Sequence, residues 1–307
     1  MDTAIETDRL TRHFGKVEAV NDLTLSVPDG GVFALIGPNG AGKTTTIKLL
    51  MNLLQPTSGR SVLLGTPSRR LDPATLRRVG YVSENQELPL WMTVRQLAAF
   101  CQPLYPTWDR ALADELRRGF DLPPDRPLRV LSRGMRMKAA LLCSLAYRPR
   151  VLVLDEPFAG LDPLIREDLV EGMLRLTEQE HWTVFISSND VDEVEPLADQ
   201  VGFINNGRLR LAEPVSALLG RFRQIEVTLD SDDPLPASLP PAWLLPEAGS
   251  RLLRFVNSAW NEPETDRQIR RLFPTSRQVS STPMSLKAIF VALARTWRST
   301  AVSKEVL

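Results

Sequence analysis

Residues 37–45 read GPNGAGKTT, and Gly37, Gly42, Lys43 and Thr44 satisfy the pattern GxxxxGK[ST]. Glycines at such positions let successive backbone N–H groups turn inward without Cβ clashes, and a helix that follows presents its N-terminus to an anion. The spacing predicts a phosphate cradle made by Gly37, Pro38, Asn39, Gly40, Ala41 and Gly42, closed by Lys43, Thr44 and Thr45. Lys43 would reach the β- and γ-phosphates, and the Thr44 hydroxyl would ligate Mg²⁺. At ordinary glycine frequencies a chance match in a chain this long is roughly a 1% event. A second chemical element is the apolar run Val151–Leu154, which leads directly into Asp155 and Glu156. A buried strand ending in a carboxylate delivers that group to the mouth of a parallel sheet. Asp155 would hold Mg²⁺ through water, and Glu156 would orient or deprotonate an attacking water. Taken alone, an Asp-Glu pair after apolar residues reads better as a strand end with solvated charges.

The elements that must position these groups are visible as short apolar runs alternating with helical patterns. VFALI (32–36) ends at the glycine loop, a helical pattern runs from Thr44 to Leu54, and VLVL (151–154) and TVFIS (183–187) are further buried strands. Continuous apolar strands separated by helices predict a largely parallel sheet covered on both faces, the α/β class. From about 85 to 150 helical periodicity dominates. Met135, Ala139, Leu142, Cys143 and Ala146 share one face, as in a helical insertion. After Leu219 the composition shifts. IEVTL (225–229) precedes a Pro-rich stretch at 234–246 that reads as a linker. LLRFV (252–256), a helix near Glu264–Phe273 and a last amphipathic helix through Leu286, Ile289, Phe290 and Leu293 follow. The expected organisation is a nucleotide-binding domain at 1–220 and a small α+β domain at 221–307.

Composition bounds the possibilities. The 307 residues carry 37 Lys+Arg and 37 Asp+Glu, so there is no bulk field to hold nucleic acid or an anionic membrane. The longest apolar run, Ala288–Ala294, is far short of the roughly 20 residues of a membrane span. The N-terminal stretch, with Asp2, Glu6 and Asp8, does not read as a secretory signal. The two cysteines, Cys101 and Cys143, cannot form a disulfide framework; both read as buried free thiols, in keeping with a reducing cytoplasm.

One further motif narrows the class. LSRGM (131–135) precedes the helical face described above. Together with the glycine loop and the Asp155-Glu156 strand end, it resembles the nucleotide-binding subunit of an ATP-binding cassette (ABC) transporter, over about residues 5–220. The resemblance implies a P-loop NTPase fold with a helical subdomain, ATP and Mg²⁺ as cofactors, and a head-to-tail homodimer or heterodimer. In that arrangement Ser132 and Gly134 of one subunit would contact the γ-phosphate held by the other. Phe14 takes the place of the aromatic that stacks on adenine, and AGLD (159–162) that of the loop coupling the two sites. A separate transmembrane permease would be the partner, with this chain peripheral on the cytoplasmic side of the membrane and no nucleic acid expected.

Four positions depart from the family pattern. In GYVSENQ, Glu84 stands where a Gln usually contacts the metal and the water; Gln86 is an alternative if the loop slips. A carboxylate there would bind Mg²⁺ and repel Glu156. Arg133 and Met135 replace Gly and Gln of the usual LSGGQ, a form similar to that of exporter-type cassettes. Asn189 stands at the place of the switch His, and neither His13 nor His181 is there. The C-terminal SLKAIFVALA resembles the ending of exporter accessory domains. Leu88, Leu90, Trp91 and Met92 form either core or a permease-facing cluster. Two other functions compete with an exporter ATPase: a low-turnover nucleotide-gated switch in an asymmetric dimer, motivated by Glu84 and Asn189, and a soluble ABC ATPase outside transport. Single copies of the P-loop and signature, without heptads, argue against the last.

Asn can donate a hydrogen bond to a phosphate oxygen but is never cationic. Asn189→His is therefore expected to raise steady-state ATP turnover about tenfold or more, the scale of a single transition-state donor. An unchanged rate would show that Asn189 is not a weakened switch.

Overall fold

A computed structural model describes residues 2–180, 182–230, 236 and 238–305. The chain divides into two compact units, Met1–Ala212 and Glu213–Leu307.

The first unit contains two sheets. Strands β1 (Thr3–Phe14), β2 (Val17–Pro28), β4 (Ser58–Leu63) and β5 (Thr66–Pro67) form an antiparallel sheet in the order β2-β1-β4-β5. The second sheet, in the order β10-β9-β3-β8-β7-β6, uses β3 (Gly31–Ile36), β6 (Val79–Ser83), β7 (Val151–Asp155), β8 (Thr183–Ser188), β9 (Gln200–Asn205) and β10 (Arg208–Pro214). β3 pairs in parallel with β8 and β9, β7 with β8 and β6. The central strands are buried along nearly all their length and mostly apolar, with Asp155, Ser187 and Ser188 at their C-terminal ends, the composition expected when both faces of the sheet are covered. A single cluster, including Ile5, Leu10, Leu23, Leu35, Ile47, Leu50 and Val153, joins the antiparallel sheet, helix α1 (Lys43–Leu50) and the parallel sheet. The antiparallel sheet escapes a reading by apolar runs because its strands alternate buried and exposed residues.

A single turn, α2 (Pro73–Leu76), is capped by Asp72, whose carboxylate accepts from the Thr75 N–H and titrates lower because of that bond. Between β6 and β7 the described residues contain no strand. Three helices fill the span, each started by a side-chain cap: α3 (Val94–Cys101) by a Thr93/Gln96 capping box, α4 (Arg110–Gly119) by Asp109 and α5 (Arg133–Leu145) by Ser132. Cys101 and Cys143 are free and half-buried rather than fully buried. Their thiols interact across α3 and α5, which holds the Cys101 pKa below its ordinary value and pushes that of Cys143 up. Helices α6 (Pro163–Glu180) and α7 (Val191–Val194) follow β7 and β8.

The second unit begins earlier than residue 221. Helix α8 (Val215–Arg221) packs on the final helix, α10 (Leu286–Glu305), and the Arg221 guanidinium forks onto the Glu213 carboxylate at 2.7 and 3.0 Å. Its antiparallel sheet has the order β12-β13-β11-β14, from β11 (Arg223–Leu229), β12 (Trp243–Gly249), β13 (Leu252–Asn257) and β14 (Ser276–Pro283). The expected linker at 234–246 is thus partly strand: Trp243 to Pro246 belong to β12, and Pro234 lies outside the described residues. Pro246 is tolerated because β12 is an edge strand whose register shifts between Leu244 and Glu247. Helix α9 (Glu262–Leu272) buries Thr265 and Ile269. Ile269 and Phe273 close a core with Ile225, Val227, Leu253 and a stacked Trp243–Phe255 pair whose centroids are 4.0 Å apart.

Phe255 fills the centre of this small core. Phe255→Ala is expected to destabilise the second unit by about 3–5 kcal/mol, read as a lowered denaturation midpoint in urea.

Candidate nucleotide-binding site

Because β3, β6, β7 and β8 are parallel neighbours, their C-terminal ends emerge on one edge of the sheet, where ligands of such folds bind. The register sets Ser83 beside Asp155 and Asp155 beside Ser187. The loop from 37 to 42 leaves β3 at this edge and enters α1.

Gly37 and Gly42 are required by shape. A Cβ on Gly37 would lie 2.3 Å from the Ile204 carbonyl oxygen, and one on Gly42, whose φ is 107°, would lie 2.3 Å from that of Ala19. No side chain caps α1, so its first turn faces the loop's concavity. Lys43 is only 5% exposed. Its ammonium donates to the carbonyls of Gly37 (2.6 Å) and Pro38 (3.2 Å) and pairs with Glu156 Oε1 at 3.0 Å. A buried cation needs this degree of compensation.

The carboxylates are held with equal definition. Asp155 Oδ1 accepts from Thr44 Oγ1 at 3.0 Å and Ser187 Oγ at 2.8 Å. Glu156 adopts the left-handed region, φ 51°, uncommon for a non-glycine residue and concentrated at functional sites. Its N–H donates to Ser187 Oγ (3.1 Å), and its Oε2 accepts the Asn189 N–H (3.2 Å). The Asn189 amide nitrogen donates to Asn39 Oδ1 at 2.8 Å, which ties the strand end to the loop. Beneath it, the Ser188 hydroxyl donates to Glu193 at 2.6 Å, and burial pushes the Glu193 carboxyl above the usual range.

These groups face a pocket of about 440 Å³. Of the residues expected from sequence, Phe14, Asn39, Gly40, Gly42, Lys43, Thr44, Thr45, Glu84, Glu156 and Asn189 line it. Gly37, Pro38 and Ala41 back the loop, and Asp155 lies beneath, bonded to Thr44. Phe14, 44% exposed, offers its ring at the rim with the Arg12 guanidinium 4.6 Å from its centroid. Ser132 and Gly134 do not line this pocket. Ser132 caps α5 by accepting the Met135 N–H at 3.2 Å, and Gly134 is small for packing: a Cβ would stand 2.9 Å from Ile165 Cγ2. Gln86 turns back, its Oε1 accepting from the Ser83 N–H at 3.4 Å, and lines a neighbouring cleft instead. Of the apolar cluster, Met92 is buried while Leu90 and Trp91 are exposed.

The Thr44 hydroxyl and Asp155 carboxylate are hard oxygens 3.0 Å apart, a donor set that fits Mg²⁺, which keeps several waters and shares phosphate oxygens. Among the described residues no group of three or more His, Cys, Asp or Glu could hold a metal. Sequence reasoning missed Ser187, which serves both Asp155 and Glu156, because its role depends on strand register. It also missed the pairing of Arg133 with Glu84, whose side chains meet at 2.7 Å.

Fold and site define a P-loop nucleotide-binding cassette. The family model of the ABC transporter matches residues 20–159. The lantibiotic transport ATP-binding protein SrtF of Streptococcus pyogenes is 34% identical over 213 residues, 67% of this chain and 89% of that one. The ABC transporter ATP-binding protein YtrB of Bacillus subtilis is 25% identical over 288 residues, 94% and 97% of the two chains. A solved ATP-binding subunit of an ABC transporter superposes with a TM-score of 0.64 at 26% identity, over 70% of this chain and 92% of that one. The chain belongs to the ABC transporter ATP-binding family.

Ser187→Ala removes two hydrogen bonds from buried, charged surroundings. It is expected to lower stability by about 1.5–3 kcal/mol and to weaken ATP binding, measured by thermal unfolding and by nucleotide titration.

Proposed function

We propose that this protein is the ATP-hydrolysing subunit that energises a separate membrane permease, in the direction of export. The observation that carries the ATPase reading is the buried Lys43 ammonium, 3.0 Å from Glu156 in a loop shaped for phosphate, with Thr44 on Asp155 alongside. The loop amides and α1 would bind the triphosphate, and Phe14 would stack on the adenine. Thr44 and Asp155 would hold Mg²⁺, which when bound supplies positive charge to the phosphates. An arriving γ-phosphate competes with Glu156 for Lys43. Glu156, released but still positioned by the Asn189 and Ser187 bonds, accepts the proton of the attacking water. Asn189 donates toward the phosphate in place of a His. Ser132 and Gly134, which stand away from this pocket, would complete the site of a second subunit, either an identical copy or another ABC ATPase.

Other features support the transport role. Among the described residues no helix is long and apolar enough to cross a membrane, so a separate permease would make the pathway. Trp91, 68% exposed beside exposed Leu90, offers that partner an apolar contact. The second unit, from Glu213 onward, acts as an accessory domain, and the chain works at the cytoplasmic face of the membrane. Export rests on the LSRGM and SLKAIFVALA resemblances. Glu84 and Asn189 favour slow turnover as a second reading.

Glu156→Gln is expected to reduce Mg²⁺-dependent ATP hydrolysis at least 100-fold while nucleotide binding persists. Hydrolysis at the unmodified rate would sink the assignment. Copurification with nucleic acid instead of a membrane protein would overturn the transport role.

A further inference from the structure

Glu84 and Arg133 enter the sequence as two unrelated departures from the family pattern, 49 positions apart. In the folded chain they are one ion pair, Arg133 Nη2 to Glu84 Oε1 at 2.7 Å. Arg133 is the first residue of α5, immediately after Ser132. Its guanidinium also lies over the turn after β7: a Cβ on Gly160, whose φ is 69°, would stand 2.9 Å from Arg133 Nη1. Glu84 is anchored on the other side, its N–H donating to the Asp155 carbonyl at 2.8 Å. One arginine thus spans the loop after β6, the start of the signature helix and the AGLD turn.

Glu84 also stands on a boundary. It lines the nucleotide pocket, and together with Arg133 and Arg136 it lines the adjoining cleft of about 740 Å³. The pair is partly exposed, 45% for Arg133 and 32% for Glu84. Such a pair is weak enough for a competing cation to break. An unpaired Glu84 would add a negative charge to a pocket that already contains Glu156.

We propose that Arg133 is a positioning residue, a latch that holds the Glu84 carboxylate away from the metal side of the nucleotide pocket until Mg²⁺–nucleotide takes it over. Delivery of Glu84 to the pocket then releases the Arg133 side chain, while the Ser132 cap of α5 stays in place. This rests on the ATP-binding reading above. The two departures compensate each other: a Gln–Gly combination at these places carries no charge to hold or to neutralise.

The test is a Mg²⁺ titration of fluorescent ATP-analogue binding to the full chain, its Glu84→Gln, Arg133→Gln and Arg133→Lys variants, and the Glu84→Gln/Arg133→Gln double variant. Arg133→Gln is expected to lower the Mg²⁺ concentration at half-saturation about three- to fivefold, the scale of a partly exposed pair. In the Glu84→Gln background the same substitution is expected to have no effect, and Arg133→Lys is expected to stay near the unmodified chain. An equal shift in both backgrounds, or no shift in either, would overturn the latch. Failure of the unmodified chain to bind the analogue at all would instead overturn the ATP-binding reading, and the latch with it.

Discussion

A charged ammonium buried almost completely is the constraint around which the first unit is arranged. The Lys43 side chain lies in a space that excludes most water, and two carbonyls and one carboxylate make that tolerable. The carbonyls belong to Gly37 and Pro38, so the loop must fold back over its own lysine. That fold-back brings Gly37 against Ile204 and Gly42 against Ala19 so tightly that neither has space for a Cβ. The carboxylate belongs to Glu156, which must come from the end of a different strand. The strand that delivers it, the helix that carries Lys43 and the glycines that permit the turn all meet at this one electrostatic requirement.

That requirement also describes a resting arrangement. With Lys43 on Glu156 and Asn189 on Asn39, the groups that would meet a phosphate are satisfied by one another. In the proposed function, a phosphate bound here would replace these contacts with its own and release Glu156 from its cation. Ser187 keeps the carboxylates in place meanwhile, since its hydroxyl donates to Asp155 and accepts from the Glu156 amide. Asp155 and Glu156 are adjacent in sequence yet have distinct surroundings: one is fixed among hydroxyls, the other paired with an ammonium in a left-handed backbone. The different roles proposed for them rest on those surroundings.

The helical segment and the second unit show where pattern reading works and where it fails. Each helix between β6 and β7 starts at a side-chain cap and repeats its apolar residues at helical spacing, so its existence is local information. The antiparallel sheet of the first unit alternates buried and exposed positions and twists through several register shifts in the β1–β2 pair, which blurs its period. In the second unit, Trp243 and Pro246 sit among prolines that signal a loop. They form an edge strand because Trp243 stacks on Phe255 and the ladder slips at the proline. Burial against a distant aromatic overrides a local signal that says otherwise.

The sequence by itself determined the α/β class and the family, and it marked the glycine loop with Lys43 and Thr44 and the Asp155-Glu156 strand end as groups to be brought together. Each is a contiguous motif or a short period, and contiguous backbone geometry needs no partner to be recognised. Only the tertiary structure decided that Ser187 serves two carboxylates, that Gly134 makes space for Ile165, that Gln86 turns out of the pocket and that Glu84 is claimed by Arg133. Those facts depend on which residues lie opposite one another across strands and helices. Register and packing set that opposition through burial of the whole core, and no short stretch of chain carries it.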